Sequence, residues 1–237
     1  MQTIAMRFPA DAVKITEFEH GMLGAQQYVF KVDLQRGRAV DVTLPRYNLL
    51  FLEAALAIEG DDTTTGFPPR RKRGVPPDSL IDFIRRFGLM DGGFLSGAEG
   101  GLFEFYWYVA ALMKSAGFFD ANDYFAARMP NLIGEGAPNS PPEARLLLKD
   151  RMNDRSKFLT AHFFVEGTAL NVGFETPASL DGYLLQQLLA FVRQPAGSIE
   201  CRFCKYCDIP FMPTTKRAVF CSSSCRSMAS RERRNDD

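Results

Sequence analysis

Histidine is scarce in this chain, which has two, His20 and His162, among 237 residues. Nucleases built on small zinc modules use a histidine near the module as general base or metal ligand, and none follows position 162 here. No Walker, Rossmann or nucleophile-elbow pattern occurs either. We expect His162, between Ala161 and Phe163, to be a core histidine. The sequence therefore predicts that the protein is not an enzyme, although a domain of this size can hold a site without a recognisable motif.

Long apolar runs are also missing. The longest, Phe105 to Met113, is too short to span a bilayer, and the opening from Met1 to Val13 lacks the apolar run of a signal peptide. We therefore expect a cytoplasmic protein without a membrane partner. In that reducing compartment, a cluster of cysteines indicates a metal site before it indicates disulfides.

Tryptophan is rare, whereas phenylalanine is abundant: the chain has one Trp and 21 Phe. Aromatic side chains bury large areas, so a phenylalanine-rich core is expected. An aromatic-lined ligand pocket is the alternative interpretation.

The formal net charge is zero, but the charges are unevenly distributed. Residues 201–237 contain eight Lys/Arg and four Asp/Glu, which gives +4 and leaves −4 for residues 1–200. Four thiolates and one divalent cation would reduce the charge of the tail to about +2. The tail is therefore basic, and the rest of the chain is mildly acidic.

Alternating apolar residues predict strands in two places. Every second position is apolar from Tyr28 to Leu34 and again from Val40 to Leu44, around the turn-like Gln35-Arg36-Gly37-Arg38. This pattern predicts a β-hairpin. A further strand is predicted from Leu170 to Phe174.

Helical spacing of apolar residues predicts the remaining elements. At the start of one helix, Ser140 can cap, the two prolines that follow fit the first turn, and Glu143 can complete a capping box. With the strands, these helices predict an α+β fold for residues 1–199. The predicted helices are Asn48 to Ile58, Ser79 to Leu89, Leu102 to Ala116, the segment after Ser140, and Leu180 to Val192, which Ser179 caps.

Three segments have loop composition. The first, residues 60–77, contains the run Arg70-Arg71-Lys72-Arg73, which is expected to be solvated loop, with contact to nucleic acid as the alternative. The second, residues 92–101, is rich in glycine but does not have phosphate-binding spacing. The third is Pro130 to Asn139.

Five cysteines lie close together in the tail, as Cys201-Arg-Phe-Cys204-Lys-Tyr-Cys207 and Cys221-Ser-Ser-Ser-Cys225. A Cys-x-x-Cys turn can direct two sulfur atoms at one point, and cysteines at i and i+4 share a helix face. Zinc prefers four such thiolates in a tetrahedron. A disulfide or a redox dithiol is the alternative. Four thiolates would leave no open position on the ion, so we expect one structural zinc ion rather than a catalytic one.

The first pair of ligands is assigned to Cys204 and Cys207, because Phe211 then falls four residues after the second ligand, as a knuckle followed by a hairpin requires. Asp208 follows that ligand, and aspartate tolerates the positive φ that such knuckles favour there. A hairpin is expected around Thr214 to Arg217. The predicted zinc ligands are Cys204, Cys207, Cys221 and Cys225.

The second pair of ligands is predicted to begin a helix. Ser222 or Ser223 can cap it, and its positive end favours thiolate at Cys221 and Cys225. Phe211 and Phe220 are expected to cover the site on its apolar side.

These motifs resemble those of a known class. Cys204-Lys-Tyr-Cys207-Asp-Ile-Pro-Phe211 and Phe220-Cys221-Ser-Ser-Ser-Cys225-Arg226, with the arginine-rich end, resemble treble-clef zinc fingers at the C-terminus of bacterial proteins. The tail is also similar to the CGNR zinc-finger family, whose members are described as stress-induced transcription regulators. The match covers residues 179–234; Cys225-Arg-Ser-Met228 stands where that family has Cys-Gly-Asn-Arg, and Asp208 stands where glycine is usual. The resemblance implies a treble-clef zinc finger over residues 200–237 and a role in transcription regulation.

Arginines on the predicted helix and a basic pair on the predicted hairpin favour nucleic acid as the partner, because guanidinium groups bind phosphate well. Arg226 and Arg233 are seven residues apart and share a helix face. The alternative is a protein-interaction module in which the finger is purely structural. The candidate nucleic-acid-binding residues are Lys216, Arg217, Arg226, Arg231, Arg233 and Arg234.

Overall fold

The computed structural model describes most of the chain. The described residues are 5–20, 26–40, 49–58, 78–90, 99–119, 125, 128–132, 137–156, 160–166, 169–175, 180–193 and 200–235. The loop predicted over residues 60–77, with its basic run, lies outside them, as do Ser179 and most of the glycine-rich segment.

The fold of the described residues combines helices with small antiparallel sheets, as the predicted α+β class requires. The helices are α1 (Leu50–Ala57), α2 (Asp78–Phe87), α3 (Glu99–Ser115), α4 (Pro141–Ser156), α5 (Leu180–Val192) and α6 (Ser223–Asn235). The strands are β1 (Ala5–Arg7), β2 (Val13–His20), β3 (Gln26–Val32), β4 (Arg38–Val40), β5 (Thr160–Glu166), β6 (Ala169–Glu175), β7 (Arg202–Phe203) and β8 (Pro210–Phe211).

The N-terminal strands form an antiparallel ribbon that is interrupted partway along. β1 pairs with β4, and β2 pairs with β3. Arg7 lies opposite Arg38, and Val13 lies opposite Val32. The two ladders are separated by five residues on one chain segment, 8–12, and by five on the other, 33–37. The register of the ribbon is therefore the same before and after the interruption.

Two facing 3-10 turns, Ala10–Ala12 and Leu34–Arg36, make up most of this interruption. Asp11 and Arg36 form an ion pair of 2.7 Å between them. Both side chains are largely exposed, so the pair contributes little to stability. It marks the point at which the two turns face each other.

The predicted hairpin over residues 28–44 is wrong in its pairing. Residues 26–32 and 38–40 are extended, but β3 pairs with β2 and β4 with β1. The predicted turn carries the ribbon onward instead of reversing it, and residues 41–44 lie outside the described part. A Cβ at Gly37 would lie 2.4 Å from Met6 Cε, so the side chain of β1 occupies the space that the glycine leaves open. Alternation specifies extended backbone, whereas packing of this kind selects the partner strand.

The core of the helical part surrounds α1. This helix is apolar apart from Glu53, which is buried and pairs with Arg86 of α2. Its residues Leu50, Phe51, Leu52, Ala54 and Ala55 are at most 1% exposed. A helix of this composition is stable when neighbours enclose it, and α2, α3 and α5 pack against it. The positions of α1, α2, α3 and α5 confirm four predicted helices to within a few residues.

The start of α4 carries the predicted capping box with one difference. The Glu143 N–H donates to Ser140 Oγ at 3.4 Å, as expected. The Glu143 carboxylate, however, accepts from the N–H of Asn139 at 2.7 Å, one residue before the capping serine. The two side chains still satisfy two backbone donors at the helix start.

A buried polar cluster joins α3, α4 and α5. The hydroxyl of Tyr106, which is fully buried, donates to Asp181 Oδ1 at 2.9 Å. Asp181 also pairs with Arg155. Burial, helped by the nearby Asp181 charge, raises the pKa of Tyr106 well above its ordinary value. The tyrosine therefore stays a neutral donor that links α3 to α5, and Asp181 links both to α4 through Arg155.

Two other features differ from expectation. Gly100 and Gly101, predicted as connecting loop, lie in α3. β5 was not predicted, although it pairs in full with the predicted strand β6, and His162 lies opposite Gly173 in that ladder.

Among the described residues, no helix has the length and apolar character needed to cross a membrane.

Candidate metal centre

The first cysteine pair lies on a tight turn between two short strands. β7 and β8 pair through Arg202 with Phe211 and Phe203 with Pro210. Within the turn, the Cys204 N–H donates to the Ile209 carbonyl at 3.0 Å, and the Asp208 N–H donates to the Cys204 carbonyl at 2.9 Å. These bonds fold residues 204–208 into a compact knuckle.

Asp208 adopts the left-handed conformation predicted for the residue after the second ligand, with φ 55°. Among described residues other than glycine, it alone has a positive φ. Aspartate enters this region more readily than most residues, but at some cost, so the fold around it must hold it there.

The second cysteine pair flanks the first turn of α6. Ser222 is the capping residue: its Oγ accepts from the Cys225 N–H at 3.2 Å, and its carbonyl accepts from the Arg226 N–H at the same distance. Of the two serines proposed for the cap, the structure selects the first. Cys221 therefore precedes the helix and Cys225 lies within its first turn, where the helix dipole favours thiolate.

The four predicted ligands converge. The sulfur atoms of Cys204, Cys207, Cys221 and Cys225 all lie within 4.8 Å of one another. Cys221 Sγ lies 3.6 Å from Cys207 Sγ and 3.5 Å from Cys225 Sγ, and Cys225 Sγ lies 3.7 Å from Cys207 Sγ. A tetrahedron of sulfur atoms about 2.3 Å from its centre has edges of roughly 3.8 Å, so one ion fits this group. Disulfide bonding would require about 2.0 Å, and all five cysteines are free.

Hydrogen bonds to sulfur prepare the group for a cation. Cys207 accepts from the Cys221 thiol and from the backbone at Ile209, and these bonds lower the pKa of Cys207 to about 5. The shared proton correspondingly raises the pKa of Cys221. Cys204 Sγ also accepts from the Cys221 N–H at 3.4 Å. A divalent ion at the centre would displace the remaining protons, because metal binding and thiol deprotonation are coupled.

Cys201 does not belong to this group. It is 2% exposed and is part of the main hydrophobic core of the protein. Burial, with a smaller effect of Glu200, raises the pKa of Cys201 to about 12. Cys201 is therefore a neutral thiol at physiological pH, in keeping with the choice of Cys204 and Cys207 as the first pair.

A small apolar cluster covers the sulfur atoms. Phe211 is buried with Cys204 and Cys225, and Phe220 packs against them. The predicted cover is thereby confirmed. The prediction of a hairpin around residues 214–217 is wrong. The chain does turn there, and the Ala218 N–H donates to the Thr215 carbonyl, but none of the residues 212–222 lies in a strand. β8 pairs with β7 instead.

The candidate nucleic-acid-binding side chains lie on two exposed parts of the tail. Lys216 and Arg217 are on the turn, and Arg226, Arg231 and Arg233 are on α6, all of them exposed. Arg234 is in α6 as well, but its side chain lies outside what the structure describes. The acidic residue among these arginines, Glu232, accepts from the Tyr206 hydroxyl at 3.0 Å. This bond ties the knuckle to the last turns of α6.

An arginine that the sequence did not single out reaches the knuckle from the rest of the chain. Arg128 pairs with both carboxylate oxygens of Asp208. Its guanidinium lies 4.0 Å from the centroid of the Phe203 ring, which stacks on Phe125 at 4.9 Å. Arg128 and Asp208 are 80 residues apart, and nothing in the local sequence connects them.

Comparison with known proteins adds no family. No family model matches the chain, and no curated protein matches it. The interpretation of the site therefore depends on its geometry and on the motifs of the tail.

Proposed function

We propose that residues 200–237 are a zinc finger of the treble-clef class, related to the CGNR family, that holds one structural zinc ion and binds nucleic acid for regulation. The ligand set supports zinc, because four cysteine sulfurs at tetrahedral spacing suit this ion. Four thiolates occupy every position of a tetrahedral ion, so the proposed role of the metal is structural and not catalytic.

The observation that carries the nucleic-acid proposal is the state of the basic side chains. Lys216, Arg217, Arg226, Arg231 and Arg233 are exposed, and none of them forms an ion pair with another described residue. The ion pairs of the described residues lie elsewhere, on the β-ribbon, on helices α1, α2, α4 and α5, at β7 and on the knuckle. Exposed, uncompensated guanidinium groups on a helix are suited to phosphate oxygens.

Serines are exposed on α6 as well. Ser224 and Ser227 share a side of the helix with Arg231, and serine hydroxyls commonly join arginine in contacts with phosphate. The contacts proposed here are to the backbone of the nucleic acid, which position a protein without specifying a base sequence.

A salt titration tests the proposal. Wild type should bind duplex DNA at low salt, and log K should fall linearly with log salt concentration. Replacing Lys216, Arg217, Arg226 and Arg233 with alanine should weaken binding and reduce the slope by about 0.9 for each phosphate that the protein no longer neutralises. The zinc content should remain one ion per chain, because none of the four is a ligand.

A matched control removes four exposed positive charges from the rest of the chain. Arg7, Arg38, Lys149 and Arg151 are all exposed and lie outside the tail. Their replacement changes the net charge equally and should leave the slope unchanged. Equal binding by wild type and the tail variant, or no binding by either, would refute the nucleic-acid proposal.

A second candidate, a purely structural or protein-interacting finger, has an observation of its own. Cys201 and Phe203 are part of the main core, and Met212 packs against it, so one side of the tail is attached to the rest of the protein. A metal that only fixes this attachment would serve no external partner. The second candidate predicts normal zinc content with no binding to duplex or single-stranded nucleic acid at low salt.

A further inference from the structure

The knuckle that carries two of the metal ligands is connected to the helical core by a layered contact. Asp208, Arg128, Phe203 and Phe125 form this contact, here termed the latch. The Asp208 carboxylate pairs with the Arg128 guanidinium, which lies over Phe203, and Phe203 stacks on Phe125 with 29° between the ring planes. Both rings are buried, with Phe125 at 1% and Phe203 at 7% exposed.

The aromatic contacts continue beyond the latch into the core. Phe125 meets Phe119 at 5.5 Å, Phe119 meets Phe191 of α5 at 5.9 Å, and Phe191 meets Phe51 of α1 at 5.5 Å. A line of packed rings therefore joins the knuckle to the buried helix α1.

The position of Asp208 makes the latch dependent on the conformation of the knuckle. It directly follows the ligand Cys207, and its N–H closes the turn on the Cys204 carbonyl. Its positive φ is sparsely populated by aspartate, so the closed turn must hold it. Backbone hydrogen bonds close the turn without a metal, and an ion bound to both cysteines would hold it more firmly than the weak hydrogen bonds between the thiols do.

We propose that metal binding at the four cysteines and docking of the knuckle on the helical core are energetically coupled through the latch. The metal holds Asp208 in the geometry that both Arg128 nitrogens require, and the docked latch in turn holds Cys204 and Cys207 in position for the metal. Loss of the ion releases Asp208 and loosens the stack of Phe203 on Phe125. The coupling does not depend on the nucleic-acid proposal, and it assigns Arg128 as a positioning residue for the metal centre.

Reciprocity supplies the decisive test, because a site that the metal influences must influence the affinity for the metal by the same factor. Arg128→Ala should weaken zinc binding on the order of fivefold or more, measured by chelator competition on the full chain. Asp208→Gly should do the same. Glycine favours a positive φ, so this variant keeps the turn and removes the carboxylate.

The matched control is Arg85→Ala. Arg85 forms an ion pair of 3.1 Å with Asp82, a largely exposed aspartate, and both residues belong to α2, far along the chain from the cysteines. The Arg85→Ala variant should bind zinc with the same affinity as the wild type. Equal zinc affinity in wild type, Arg128→Ala and Asp208→Gly would overturn the coupling.

Hydrogen exchange gives a second measurement on the wild-type chain. Chelation should increase amide exchange in residues 128–132 and 200–211, while α2 keeps its protection. An increase confined to residues 204–225 would overturn the proposal, because the effect would stop at the ligands. Unfolding of the entire chain by the chelator would also overturn it, since the metal would then act on the whole core and not through the latch.

Discussion

The helical core and the cysteine-rich tail are stabilised in different ways. Around α1, buried aromatic and aliphatic side chains from five helices and the ribbon form one continuous cluster. In the tail, the separate cluster contains three buried residues, Cys204, Phe211 and Cys225, two of which are proposed ligands. So small a cluster cannot offset the conformational entropy of some 35 ordered residues, since each costs about 1–2 kcal/mol for its backbone alone.

This difference shows how stability is divided within one chain. The core depends on burial and packing, and within it the hydroxyl of Tyr106 donates to Asp181. The tail has a group of four cysteines that can hold a metal ion, and it is attached to the core through Phe203 and Arg128. Substitutions in the two regions should therefore have different consequences, and each of the following variants tests one side of the contrast.

The largest effect is expected from removing a ligand. Cys225→Ser should abolish tight zinc binding and unfold residues 204–235, because structural zinc sites contribute about 10–16 kcal/mol in isolated fingers. Metal analysis and hydrogen exchange measure the two effects. The core helices α1 and α3 should stay folded. If they melted together with the tail, the division between the regions would not hold.

A cavity in the core should give the reverse pattern. Phe51 is fully buried and packs edge-on against Phe191. Phe51→Ala should lower the free energy of unfolding by about 3–5 kcal/mol, since the site cannot collapse completely. Denaturant unfolding gives the value. If the Phe51→Ala variant also released its zinc under native conditions, the stability of the tail would depend on the core, and the proposed division between the two regions would be wrong.

Tyr106→Phe probes the polar cluster of the core. Losing its hydrogen bond to Asp181 should cost about 1–2 kcal/mol at neutral pH. Burial raises the pKa of Tyr106 in the folded protein. As pH rises above about 10, the tyrosine therefore loses its proton in the unfolded state before it does so in the folded state, and the wild type loses stability. The stability difference between wild type and variant should therefore shrink in that alkaline range. A difference independent of pH would show that Tyr106 ionises equally in both states.

Cys201→Ser should have the smallest effect on the metal. Its thiol is buried in the core and has a pKa of about 12, so the variant should keep one zinc ion per chain. A moderate loss of stability, about 1 kcal/mol, is expected from placing a hydroxyl in an apolar site. Loss of zinc would mean that Cys201 is a ligand and that the assignment of the first pair is wrong.

Much of the candidate site could be predicted because its signals are local. The ligand spacing, the cap at Ser222 and the positive φ of Asp208 each depend on a few neighbouring residues. The pairing of β3 and the role of Arg128 could not be predicted in this way, because their partners lie elsewhere in the chain. The domain boundary at residue 199 and the nucleic-acid contacts stay predictions.

The sequence by itself determined the approximate bounds of the main helices, the extended segments β3 and β6, and which four cysteines gather, because periodicity and ligand spacing act over a few residues. Only the tertiary structure decided what those segments contact. It paired β3 with β2 and β4 with β1, and Met6 of β1 fills the space beside Gly37 at the start of β4. It also placed Phe203 in the core and Arg128 on Asp208. The physical reason is that packing and ion pairing depend on groups far apart in the chain, and their positions are set only when the whole core has formed.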